Sequence, residues 1–130
     1  MTIIECISNL KNVYHGHGAK KEAIDAAEKK LNLHFADEYR EYVSMYGIIS
    51  AKGTELTGII DSKRLNVADV TLQERELNTD FPPDMYVIEN IAIDGILMLQ
   101  KSDGGIYELH PNAKPIKKYD SLAEYLASMH

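Results

Sequence analysis

A chain of 130 residues, 45% hydrophobic and 26% charged, is long enough to bury a core without staples and has the composition of one globular domain spanning residues 1–130. Its single cysteine, Cys6, excludes an intramolecular disulfide. With no basic-then-apolar leader and no run near the roughly 18 apolar residues of a membrane span, a cytoplasmic protein is expected. The net charge of −6 is unevenly placed: residues 65–100 hold seven carboxylates and one base, leaving 13 acids and 13 bases elsewhere.

The first third reads as helices. Thr2 and Glu5 have capping-box spacing, and Ile3, Ile7, Leu10 and Tyr14 follow at helical intervals up to Gly16 and Gly18. A second helix is expected over 20–31, with Ala23, Ile24, Ala27 and Leu31 inward. A third starts near Asp37, carries Tyr39, Tyr42, Val43 and Tyr46 inward, and ends at Gly47; Asp37 and Glu38 suit its positive end. Then the period changes. Strands are expected over 48–51 and 54–60, and a helix over 66–77 with Val67 and Val70 inward, closed by Pro82-Pro83. Strands over 85–93, 96–101 and 106–110, joined by Asp94-Gly95 and by Ser102 to Gly105, form an antiparallel meander. A fourth strand over 116–119 and a last helix capped by Ser121 and Glu124, with Leu122, Tyr125, Leu126 and Met129 inward, complete the chain. Helices, then strands, then a closing helix define an α+β fold with a mostly antiparallel sheet packed by helices.

The acidic stretch is the main candidate site. Asp69, Glu74, Glu76, Asp80, Asp84, Glu89 and Asp94 face only Arg75. Carboxylates at this density attract basic partners and repel nucleic acid, so direct nucleic-acid binding is not expected. Asp69, Glu76 and Asp80 would share one face if the helix reaches residue 80. His15-Gly16-His17-Gly18 has metal-like spacing, but His34, His110 and His130 are scattered, and a flexible turn between two helices is the simpler reading; no metal and no cofactor are expected. Cys6 in the first turns of a helix could favour a thiolate, yet no base or oxyanion site accompanies it, so it reads as a core thiol. Phosphate-loop, dinucleotide and nucleophile-elbow motifs are absent. Tyr39, Tyr42 and Tyr46 stand at core spacing and read as packing rather than base stacking.

The run from Leu31 to Val43 (Leu31-Asn32-Leu33-His34-Phe35-Ala36-Asp37-Glu38-Tyr39-Arg40-Glu41-Tyr42-Val43), ending Met45-Tyr46-Gly47, resembles the N-terminal signature of the SUKH superfamily, which includes cell-wall-assembly regulators and bacterial immunity proteins. Glu55-Leu56-Thr57-Gly58-Ile59, then Val67-Ala68-Asp69-Val70-Thr71 with Arg75, then Ser121 to Leu126 resemble its later elements in order. Two departures stand out: Phe35-Ala36 replaces a leucine-proline entry, and an acid- and glycine-rich turn is reduced to Asp94-Gly95. The resemblance implies no enzyme. It implies an immunity protein that neutralises a toxin, commonly a nuclease; with it, the charge of the acidic stretch points to a basic toxin domain held by occlusion, with the seven acids as partner-binding residues. The alternative is an intracellular scaffold or regulatory protein-interaction domain, and a third class is an enzyme with titratable groups converging in a deep pocket.

Overall fold

The computed structural model describes residues 1–51 and 53–129; His130, the last of the scattered histidines, lies outside them. Helix α1 (Ile3–Ser8) begins at Thr2, whose hydroxyl accepts from the Glu5 N–H while the Glu5 carboxylate accepts from the Thr2 N–H. This is the expected capping box. The helix stops well before Tyr14, which instead opens strand β1 (Tyr14–His15) and points to solvent. Helices α2 (Lys21–Leu31) and α3 (Asp37–Tyr46) are clamped by Arg40, whose guanidinium reaches Glu28 at 2.7 Å and Asp25 at 2.9 Å.

Strands β2 (Ile49–Ala51) and β3 (Thr54–Glu55) join β1 in a small antiparallel sheet ordered β1-β2-β3. The expected strand over 54–60 is thus cut after Glu55. Beyond it the backbone turns to other partners: Thr57 N–H donates to Ile88 O at 2.8 Å, Ile59 N–H to Gly47 O at 3.0 Å, and Gly58 pairs with Asn66 in an isolated parallel bridge. Those competing bonds end the ladder.

Helix α4 (Val67–Leu77) starts under the Asn66 side chain, which accepts from the Ala68 and Asp69 N–H groups. Strands β4 (Met85–Asn90), β5 (Leu97–Lys101), β6 (Ile106–Leu109) and β7 (Ile116–Tyr119) form the antiparallel meander in that order. Strand β4 carries a register shift between Val87 and Glu89. Helix α5 (Leu122–Met129) closes the chain. The fold is therefore α+β, as the element order implies.

Both faces of the meander are covered, because side chains alternate along each strand. Tyr86, Ile88, Met98 and Ile106 join the main core with Ile3 and Ile7 of α1, Tyr39, Tyr42 and Val43 of α3, and Leu122 and Leu126 of α5. Met85, Val87, Leu97, Leu99 and Leu109 point the other way and meet Val70 of α4 and Phe81. Tyr39 and Tyr42 of α3 are packing residues with satisfied hydroxyls, while Tyr46 is half-buried. Tyr39 and Thr57 hydroxyls lie 3.0 Å apart, and Tyr42 donates to Thr57 O at 2.7 Å while accepting from the Ile49 N–H.

A second polar chain crosses the core. Ala36 N–H donates to the Tyr86 hydroxyl, Tyr86 donates to Gln100 Oε1, and Gln100 Nε2 donates to Glu38 at 2.7 Å and to Gly104 O at 3.0 Å. Glu38 also accepts from the Leu122 and Ala123 N–H groups at 2.6 and 3.2 Å. Its sequence position suits the start of its own helix, α3, but its carboxylate caps α5 instead.

Candidate functional site

The fold separates the seven acids. Glu89 is 6% exposed; its carboxylate accepts from the Glu55 N–H at 3.0 Å and from the Tyr125 hydroxyl. The register shift turns Glu89 onto the helix-covered face opposite Met98, so it joins the core and leaves the partner-binding set. Burial and the Glu89 carboxyl push the Tyr125 phenol well above its usual range, which keeps it a donor. Asp69 stands 3.9 Å from the Lys30 ammonium and Asp84 stands 3.7 Å from that of Lys101. Helix α4 ends at Leu77, so Asp80 lies past it, where its own N–H is held by Asn78 Oδ1. The shared helical face therefore reduces to Asp69 and Glu76.

Asp84 precedes β4, and Asp94 follows it on the turn to β5. At ~3.3 Å per residue the two ends of that strand pair are roughly 20 Å apart. Glu76, Asp80 and Asp94 are exposed, and among the described residues they make no ion pair. Arg75, the one base of the stretch, turns inward. Its Nη2 donates to Leu31 O at 2.9 Å and to Pro83 O at 3.2 Å, tying α4 to the end of α2 and to the loop entering β4. Its charge is thus spent on backbone carbonyls rather than on its acidic neighbours.

Glu74 is half-buried and its carboxylate has no hydrogen-bond or ion-pair partner among the described residues. Burial alone lifts it above the ordinary carboxylate range. It forms a wall between two hollows. The first, about 160 Å³, is polar and lined by Glu55, Thr57, Arg64, Gln73 and Asn90. There the Arg64 guanidinium, hydrogen-bonded to Glu55, holds the Glu55 carboxyl below its ordinary range. That volume is below the roughly 300 Å³ at which pockets for drug-sized ligands begin. The second, about 230 Å³, is a groove between the last turn of α4 and the β4–β5 turn. Leu97, Leu109 and Pro111 give it apolar walls, and Leu77, 73% exposed, stands at its rim.

Raising a carboxyl's folded-state value means the folded chain keeps that proton after the unfolded chain has lost it. The contribution of Glu74 to stability is therefore fully present below about pH 4.5 and falls as pH climbs through the raised value. Glu74→Gln is expected to melt at or above wild type at pH 7 and to converge with it near pH 3. Thermal unfolding at the two pH values checks this, and a variant that melts clearly below wild type at pH 7 would contradict it.

Neither the histidine motif nor the cysteine gathers a reactive centre. His15 stands edge-on to Tyr46, with ring centroids 5.3 Å apart, and among the described residues no three His, Cys, Asp or Glu side chains cluster as metal ligands. Cys6 is buried, its Sγ lies 3.6 Å from Ala123 O, and burial pushes its thiol up, away from the thiolate. It lies at the floor of a wider hollow of about 550 Å³ between α1 and α5, lined also by Leu10 and Leu126.

The sequence reading missed the groove and Leu77. Leu77 stands seven residues after Val70 and so reads as part of the inward stripe, yet the helix ends there and leaves it bare. Asn78 and Pro82-Pro83 were the available signal, since a helix closing at Leu77 has no further turn to cover that side chain.

The order of elements and the two covered sheet faces define a helix-packed antiparallel meander. The profile of the SUKH_5 family, described as SMI1-KNR4 cell-wall, matches residues 2–129. The chain belongs to the SUKH_5 family, within the SUKH superfamily. No curated protein matches it.

Proposed function

We propose that this protein is a bacterial immunity protein that captures a toxin in a one-to-one complex and neutralises it by occlusion in the cytoplasm. The partner is a basic domain, and a nuclease fits because an active site for a polyanion needs a positive rim. The family match over residues 2–129 carries this reading. Support comes also from Glu74, Glu76, Asp80 and Asp94, carboxylates without an ion-pair partner among the described residues, which would accelerate encounter with a positive surface at low salt. Asp69 and Asp84, each beside a lysine, would contribute less.

Co-expression tests the reading. The open reading frame adjacent to this gene is placed in cells with and without this chain, and growth is scored. Protection, a one-to-one complex and a toxin of unchanged mass are the expected results. A covalently altered toxin would overturn occlusion, and growth arrest unrelieved by the chain would overturn the immunity role.

A further inference from the structure

We propose that the groove between the end of α4 and the β4–β5 turn is a socket for an arginine side chain of the partner, its aliphatic stem on Leu97 and Leu109 and its guanidinium against Glu74. This rests on the reading of the chain as a toxin-binding immunity protein and names the contact that reading leaves open.

Three observations converge on it. The groove is concave at about 230 Å³ and mixed in lining, with Leu97, Leu109 and Pro111 as apolar walls among the polar Glu74, Asn78 and Asn112. Its acidic wall is uncompensated among the described residues: Glu74 has no hydrogen-bond or ion-pair partner there, Asp94 is exposed next to lining residue Gly95, and the nearest base in sequence, Arg75, is bound to Leu31 and Pro83 carbonyls. His110 also lines the groove, and its Nε2 lies 2.8 Å from Glu108 Oε2, which engages that ring nitrogen. Finally, Leu77 is among the most exposed large apolar side chains of the molecule and stands on the same rim.

An occupant that satisfies all three must carry apolar surface and a positive head on one side chain. Arginine does so: its methylene stem covers hydrocarbon while its planar fork pairs with a carboxylate. A purely apolar occupant would bury Glu74 further without a counter-charge, which is costly. A second copy of this chain would bring another acidic α4 end against this one.

The test has two arms. In the first, a five-residue peptide with a leucine between two arginines is titrated into the labelled protein and amide shifts are followed by NMR. Saturable shifts at Glu74, Leu77, Gly95, Leu97 and Leu109 are expected. Glu74→Gln should weaken them about tenfold, in line with loss of a desolvated charge pair. Ile116→Ser, an exposed change on β7, should leave them intact, and a glutamate version of the peptide should give none. Shifts elsewhere, or shifts that Glu74→Gln leaves unchanged, would overturn the socket. In the second arm, the adjacent toxin is captured by wild type, Glu74→Gln and Leu77→Ser, and the variants should lose about tenfold or more in affinity. Capture by wild type and equal capture by both variants would overturn the socket and leave the immunity reading standing. A peptide that binds the groove with no toxin captured would keep the socket and end the immunity reading.

Discussion

Glu38→Ala is expected to lower the unfolding free energy by about 3 kcal/mol, because it strands the N–H groups that open α5 and removes one acceptor of the buried Gln100 amide. The two oxygens of this carboxylate collect the Leu122 and Ala123 N–H groups and the Gln100 amide. Gln100 is fully buried and passes the constraint to Tyr86 and so to Ala36 at the entry of α3. One side chain thus locks the start of α5, the end of β5 and the start of α3. Burial pushes the Glu38 carboxyl up against the opposing pull of its donors. Its contribution therefore falls as pH rises through that raised value, and the deficit of Glu38→Ala is expected to be larger near pH 4 than near pH 7. Glu38→Gln keeps one acceptor oxygen and removes the disfavoured charge, so it should lie within about 1 kcal/mol of wild type at pH 7. Urea titrations of the three proteins at both pH values decide the matter. An alanine variant as stable as wild type would show that α5 docks without this cap.

The elements most legible from sequence are those whose reasons are local. The Thr2–Glu5 box needs four residues and formed as expected. So did the short turns that fold the meander, with Asp94 and Gly95 both at positive φ. Errors entered where a distant partner won. The strand expected over 54–60 ended at Glu55 because Thr57 and Ile59 bond to β4 and to the end of α3. Tyr14 left the first helix because β2 offered pairing at Ser50. Glu38 reached past its own helix to one more than eighty residues away.

The candidate site was less legible than the fold, for a related reason. A count of carboxylates says how much charge a segment carries and nothing of where each side chain points. One bulge buried Glu89, and two lysines from outside the segment stood beside Asp69 and Asp84. The feature that organises the remaining acids, a groove with a bare leucine at its rim, comes from the point where α4 stops. Helix ends are the least certain part of any periodicity argument.

Gly58→Ala is expected to be the most damaging single methyl in the molecule. A Cβ at Gly58 would sit 1.8 Å from the carbonyl oxygen of Gly47 and 2.9 Å from its carbon. Both are backbone atoms, so no rotamer change can make room. Gly47 cannot retreat, because it sits at φ +73° against His17 O, where its own missing Cβ would fall 2.2 Å away. The clash would separate the end of α3 from residues 56–59, breaking the Ile59–Gly47 bond and loosening the Tyr42 hydroxyl from Thr57 O. A loss on the order of 4 kcal/mol or more follows from overpacking combined with newly unsatisfied buried groups. Gly53→Ala supplies the control. Gly53 is at φ +79° with nothing among the described residues within 4 Å of the added carbon, so it isolates backbone strain, about 1–2 kcal/mol. Denaturant unfolding of the two variants, with amide exchange at Ile59 and Ile49, separates the causes. Equal losses would mean that strain alone explains Gly58. A loss several-fold larger at Gly58, with both amides exposed, would show that the two glycines carrying the resemblance at Met45-Tyr46-Gly47 and Thr57-Gly58-Ile59 matter because their backbones touch.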